Sequence, residues 1–115
     1  MTVRELMETV SASNLVEGAN VEAEITCGYC CDLLSWVLAR GKQGMAWMTV
    51  QNHANVIAVA VLMDMACVIL TEDVMLEEAS LQKAQEEGLA VLAVPMTAFE
   101  LSGIMAKAGV LPPCE

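Results

Sequence analysis

The sequence predicts an α/β fold: a single three-layer domain with a mainly parallel four- to five-stranded sheet flanked by helices. Apolar, β-branched runs stop at a threonine three times, at Ile25-Thr26-Cys27-Gly28, Met48-Thr49-Val50-Gln51 and Ile69-Leu70-Thr71-Glu72. A fourth run, Ala90 to Val94, ends at Pro95-Met96-Thr97. After each stop a polar residue or glycine soon opens a helical pattern. Such alternation implies parallel strands joined by crossovers, because a parallel neighbour needs a long return connection. The runs are also too apolar to face water on either side, so helices must cover both faces.

The elements follow in order. Thr2, with Glu5 three residues on, forms a capping-box pattern for a helix through about Val10, whose buried face is Val3, Leu6, Met7 and Val10. Ser11 to Asn14 ends it. Leu15-Val16 reads as a short extra strand before the Glu17-Gly18-Ala19-Asn20 turn, so residues 1–20 can add an edge strand. Val21, Ala23 and Ile25 alternate with Glu22, Glu24 and Thr26, which predicts the first parallel strand there. Gly28 is assigned to a tight turn, and Asp32 to Ala39 to a helix closed by Gly41.

Met45 to Val50 is the second strand, and Asn52 or His53 opens a helix over Asn55 to Met63. Val56 to Met63 is apolar all round, which predicts burial on two sides, in the core and against another element or subunit. A homodimer about a two-fold axis is the expectation. Ala66 to Leu70 is the third strand. Glu77 to Glu87 is the most polar helix, with Ala79, Leu81, Ala84 and Gln85 as its inner face. Leu89 to Val94 is the fourth strand, and Thr97 caps a last helix to about Ala108. Residues 109–115, with two prolines and Cys114, are expected to form a loose tail.

Composition narrows the function. The 115 residues make one domain, and 57% of them are apolar, more apolar surface than so small a body easily hides. Fifteen acidic residues against five basic ones give a formal charge of −10, the wrong sign for nucleic acid or an anionic membrane. The longest apolar tract, Val56 to Leu70, is interrupted by Asp64 and is too short to span a bilayer. Met1-Thr2-Val3-Arg4-Glu5 lacks the pattern of a secretory signal, and five cysteines, an odd number, suit a reducing cytoplasm. The expected partner is a small molecule or another protein.

In open parallel sheets, ligands bind beyond the carboxyl ends of the strands. The residues placed there are Gly28, Asp32, Thr49, Gln51, His53, Asn55, Thr71 and Thr97, and these form the candidate ligand site. Glycine-rich phosphate motifs of the dinucleotide and Walker kinds are absent, and no cofactor is expected. As a general base His53 would need a carboxylate, with Asp32 or Glu72 in reach. Without a nucleophile, a lone histidine reads better as the opening of a helix, and no enzyme activity is expected. Cys27, Cys30 and Cys31 form the sharpest local cluster. At a helix start they could serve redox exchange or part of a metal site, but a closed cluster usually takes four ligands.

From about Val21 to Ala106 the chain resembles the DRTGG domain family. The likeness rests on Gly28-Tyr29 with Asp32-Leu33-Leu34-Ser35, on Trp47 to Val56, and on Pro95-Met96-Thr97-Ala98-Phe99-Glu100. It implies a small α/β module of regulatory type, without catalytic residues, found alone or beside other domains. The name-giving residues differ here: Gln51-Asn52-His53 stands where Asp-Arg would follow the second strand, and Thr71-Glu72-Asp73 where Thr-Gly-Gly would follow the third. The resemblance thus implies a non-enzymatic regulatory, sensor or interaction module. Similar stand-alone members accompany iron-hydrogenase components in anaerobes, so the alternative is a cysteine-based redox or iron–sulfur accessory protein.

Overall fold

A computed structural model describes residues 1–113; Cys114 lies outside the described residues. The elements are α1 (Val3–Val10), β1 (Ser13–Asn14), β2 (Cys27–Cys30), α2 (Leu34–Arg40), β3 (Met45–Thr49), α3 (Ala54–Leu62), β4 (Cys67–Leu70), α4 (Glu78–Glu87), β5 (Ala90–Ala93) and α5 (Ala98–Lys107). They build the five-stranded sheet β1-β5-β4-β3-β2, in which β2 to β5 are parallel and β1 joins β5 antiparallel. The fold class read from the sequence holds, edge strand included.

Strands β2 to β5 follow one another across the sheet in chain order, so every crossover steps the same way. Crossovers of one hand then place α2, α3 and α4 on one face and leave the other to α1 and α5. The core divides accordingly. Val37, Ile57, Ala60 and Ala84 pack with Met45, Trp47, Val68 and Leu70 above the sheet. Below it, Val3, Leu6, Leu101 and Met105 pack with Ala46, Met48, Ile69 and Leu92. The strand residues alternate between the two clusters, as period-two side chains must.

Three expectations about the strands need correction. Val21 to Thr26 is not a strand, although its alternation is real, with Val21, Ala23 and Ile25 half-buried against the lower cluster. Its carbonyls are taken by helix α1: the Val3 and Arg4 amides donate to Ala23 O and Val21 O at 3.0 and 2.8 Å. Those are first-turn N–H groups, which a helix cannot satisfy itself. The first parallel strand therefore starts at Cys27, and Gly28 lies inside it rather than in a turn. The edge strand likewise pairs at Ser13–Asn14 instead of Leu15–Val16.

Segment 109–113 is docked rather than loose. The Leu111 carbonyl accepts from the Gly28 amide at 2.8 Å, and Val110 packs on the lower cluster. A Cβ on Gly28 would stand 3.1 Å from Val110 Cγ1, so the glycine is what lets the segment approach β2. In α4 the buried residues are Ser80 and Ala84, while Ala79 and Gln85 are exposed. The Ser80 hydroxyl donates to Asn52 O at 2.9 Å, a tertiary contact that apolar periodicity does not reveal.

The all-apolar α3 is largely accounted for within the chain. It lies in the same layer as α2 and α4, with Val56, Ile57, Val59 and Ala60 buried. Asn55, Ala58 and Leu62 remain exposed on its outer stripe.

Candidate functional site

At the carboxyl ends of β2 and β3, four of the predicted residues form one hydrogen-bonded chain. Asp32 follows β2, and its Oδ1 accepts from Thr49 Oγ1 at 2.7 Å and from the Val50 amide at 3.0 Å. Thr49 Oγ1 in turn accepts from the Gln51 amide at 3.1 Å. The Gln51 side chain donates from Nε2 to the Asp32 carbonyl at 3.0 Å, and its Oε1 lies 3.2 Å from His53 Nε2. With Gln51 Nε2 donating to a carbonyl, Oε1 is the end facing the ring. His53 Nε2 is therefore the donor in that contact.

His53 is thus partnered by an amide rather than by Asp32 or Glu72. It also occupies the N-cap of α3 without capping it through its side chain. Asn52, absent from the predicted site, fixes the same corner. Its Nδ2 donates to Met75 O at 2.7 Å, and its carbonyl accepts from the Glu77 amide at 3.3 Å. Trp47 Nε1 donates to Cys31 O at 2.8 Å and ties the end of β2 to β3.

The other predicted residues separate from this group. Thr71 continues the ladder, its amide donating to Thr49 O at 3.3 Å. By strand alternation from Leu70, which belongs to the upper cluster, its side chain faces the lower layer. Thr71 is buried at 1% exposure, and among the described residues its hydroxyl has no hydrogen-bond partner. Thr97 caps α5 in a complete capping box with Glu100. Asn55 is exposed on α3, and Gly28 lies within β2, away from the strand end.

Electrostatics make this end of the sheet acidic. Asp32, Glu72, Asp73 and Glu77 cluster around the strand ends, and Glu72 and Asp73 are exposed. The cations lie elsewhere. Arg40 and Lys107 fall in the last turns of α2 and α5, which run back toward the other end of the sheet. Lys42 precedes β3, Lys83 is midway along α4, and Arg4 pairs with Glu22.

The cysteines do not converge. Cys27 is buried against the upper cluster and Cys30 is exposed. Three residues apart on one strand, they point to opposite faces. The helix begins only after Leu33, so neither thiol sits at its N-terminus. Partial burial, with smaller contributions from Asp32 and Cys31, pushes the Cys30 thiol up from its ordinary value.

Two hollows lie away from the strand-end network. One, of about 550 Å³, opens at the amino ends of the strands beside Thr26, Gly44, Asp64 and Gly88. The other, of about 430 Å³, lies against the lower face of β2 beneath α5, and Gly28 is the predicted site residue that lines it. No sequence signal pointed to either, because both are formed by segments distant in the chain.

The geometry defines a small α/β domain: a sheet wound in one direction, with a polar hydrogen-bonded corner at its strand ends. A family model, the DRTGG domain, matches residues 5–108, and the chain belongs to that family. Among solved structures, it is similar to the CBS and DRTGG domains of the regulatory region of Clostridium perfringens pyrophosphatase, complexed with the activator diadenosine tetraphosphate. The TM-score is 0.77 at 13% identity, over 96% of this chain and 47% of that one, so this chain spans about half of that structure. Among curated proteins, no sequence matches the chain.

Proposed function

We propose that the chain is a non-enzymatic regulatory module that binds a small ligand or a protein partner at the carboxyl ends of β2 and β3. The observation that carries this reading is the Asp32–Thr49–Gln51–His53 chain, which holds polar side chains in fixed positions at a strand end. The Thr49 hydroxyl, which donates to Asp32, is buried at 2% exposure and so is shielded from a substrate, and His53 contacts an amide rather than a hydroxyl or thiol. The activator of the pyrophosphatase relative makes dinucleotides the first compounds to try. Here, however, the carboxylates around the strand ends favour a ligand of low anionic charge. A cytoplasmic setting is supported by free thiols at Cys27, Cys30, Cys31 and Cys67. Among the described residues, no helix is long and apolar enough to cross a membrane.

A thermal-shift screen of nucleotides, dinucleotides and central metabolites tests the ligand. A binder raises the melting temperature by linkage, and Gln51→Ala abolishes that rise. If no compound shifts the protein and no cytosolic partner is retained by it, the reading fails. The proposed homodimer uses the outer stripe of α3, whose large apolar side chain is Leu62, 73% exposed at the carboxyl end of the helix. Light scattering of Leu62→Glu is expected to report a folded monomer where the unaltered chain reports a dimer.

A further inference from the structure

The hollow beneath α5 has a composition unlike the rest of the surface. The chain has twenty charged side chains by type, fifteen acidic and five basic, and not one of them lines it. Its walls are the flexible thioethers of Met48 and Met105, the rings of Pro112 and Pro113, and the backbone of β2 at Gly28. The titratable side chain on it is Cys30, whose thiol partial burial raises above its ordinary value and so leaves neutral at pH 7, while the Tyr29 ring turns to the upper cluster. At about 430 Å³ it falls within the usual range of small-molecule pockets, roughly 300–1,000 Å³.

One polar feature breaks the apolar wall. Strand β2 is the last in the sheet, so alternate residues turn their backbone groups away from β3. Gly28 does so, and its amide is taken by Leu111. Two residues on, Cys30 turns the same way, and among the described residues its N–H and C=O have no backbone partner across that edge. Beyond Leu111 the docked segment continues as Pro112-Pro113, which has no N–H with which to extend the ladder. Among the described residues, a single residue of edge is therefore open beside the hollow. That is too little for an added strand or a second copy, but it offers one donor beside one acceptor.

We propose that this hollow binds an uncharged, planar heteroaromatic molecule whose ring carries a hydrogen-bond donor next to an acceptor, as a lactam does. The ring lies against the methionine and proline walls, where sulfur–aromatic contacts are favourable. Its donor and acceptor pair with the C=O and N–H of Cys30, as two residues exchange both bonds in an antiparallel sheet. Ser102 stands at the same wall, its hydroxyl facing the Met48 thioether at 3.5 Å. This site is separate from the strand-end corner, so either can fail alone.

The test uses isoquinolin-1-one as the probe, titrated into the isotope-labelled full chain and followed by amide NMR. Saturable shifts are expected at Cys30 and Ser102, with those of Gln51 and His53 unmoved. The N-methyl analogue, which lacks the donor, is expected to bind about tenfold or more weakly. Ala106, exposed on α5 at the mouth of the hollow, gives the blocking variant: Ala106→Phe retains the native spectrum and loses the shifts. The proposal is overturned if the probe produces no saturable shifts, if the shifts map to the strand-end corner, or if the N-methyl analogue binds as well.

Discussion

Thr49 and Thr71 end neighbouring strands, and each closes an apolar run with a threonine followed by polar residues. Both are buried, at 2% and 1% exposure. Their chemistry is nevertheless opposite. Thr49 faces the upper layer, where Asp32 crosses from β2 to accept its proton and the Gln51 amide donates back to it. Thr71 turns toward the lower layer, and among the described residues nothing there meets its hydroxyl. The backbone differs as well. After Thr71, Glu72 and Asp73 both take left-handed conformations, with φ of 56° and 58°, whereas no residue from Val50 to Ala54 does so. One strand end is satisfied and relaxed, the other unsatisfied and strained. A threonine at a strand end acquires its role from what crosses to meet it, and sequence position alone does not supply that.

The strands beneath these threonines differ in the same sense, and pH gives the largest expected effect. Cys67 opens β4, paired with Ala46 of β3, and complete burial pushes its thiol up to about 12. The ordinary value for the thiol is 9.0, so the folded state holds the proton more tightly than the unfolded one. Stability from this group is full below pH 9 and declines above it as the unfolded chain ionises. Urea titrations should show a loss of about 1.4 kcal/mol per pH unit between roughly 9 and 12. Cys67→Ala should flatten that slope, at a cost in neutral stability from lost packing. An unchanged slope would mean that β4 is less tightly enclosed than β3.

Next in size is the carboxylate that distinguishes the two ends. Asp32→Ala leaves the buried Thr49 hydroxyl and the Val50 amide without their acceptor. Hydrogen bonds to charged groups contribute about 1.5–3 kcal/mol each, and the partial exposure of the corner argues for a net loss near 2 kcal/mol. Chemical denaturation measures it. A loss below about 0.5 kcal/mol would remove the contrast with Thr71.

The direct comparison replaces each threonine by its apolar isostere. Thr49→Val breaks a satisfied network and should destabilise by about 1–2 kcal/mol. Thr71→Val removes an unpaired buried hydroxyl and should stabilise by about 1 kcal/mol. Opposite signs from one substitution at adjacent positions sharpen the comparison. Equal signs would show that Thr71 Oγ1 is satisfied after all.

Much of this was legible in the chain. Strand–helix alternation gave the sheet and its helices, and the capping pairs Thr2/Glu5 and Thr97/Glu100 marked two helix starts correctly. The error at Val21 to Thr26 has a definite cause. Alternation reports that one side of a segment is covered, whereas strand identity depends on where its carbonyls go, and here they go to α1. The strand-end site was half legible, since Asp32, Thr49, Gln51 and His53 do assemble. Its division between two layers follows from strand parity, which depends on where each strand begins. The hollow beside Gly28 was not legible, because β2, α5 and the segment after Gly109 meet only in the folded chain.

The smallest expected effect concerns the turn after Thr71. An L-residue in the left-handed region brings its Cβ close to the following carbonyl, at roughly 1–2 kcal/mol, a penalty that glycine escapes. The DRTGG name places two glycines after the threonine, and this chain keeps left-handed backbone there with Glu72 and Asp73 instead. The turn is held by its neighbours: Glu72 donates to Met96 O at 3.0 Å, Asp73 to Val94 O at 3.1 Å and Val74 to Thr71 O at 3.2 Å. Both side chains are exposed, so substitution leaves no cavity. Glycine also loses more freedom on folding, roughly 0.5–1 kcal/mol, which offsets part of the relief. Glu72→Gly and Asp73→Gly should therefore each stabilise by about 0.5 kcal/mol, readable as a small rise in denaturation midpoint. Val50→Gly, at a strand end without left-handed backbone, supplies the opposite case and should destabilise. If the glycine variants at 72 and 73 lose stability as Val50→Gly does, the two strand ends are not different in strain.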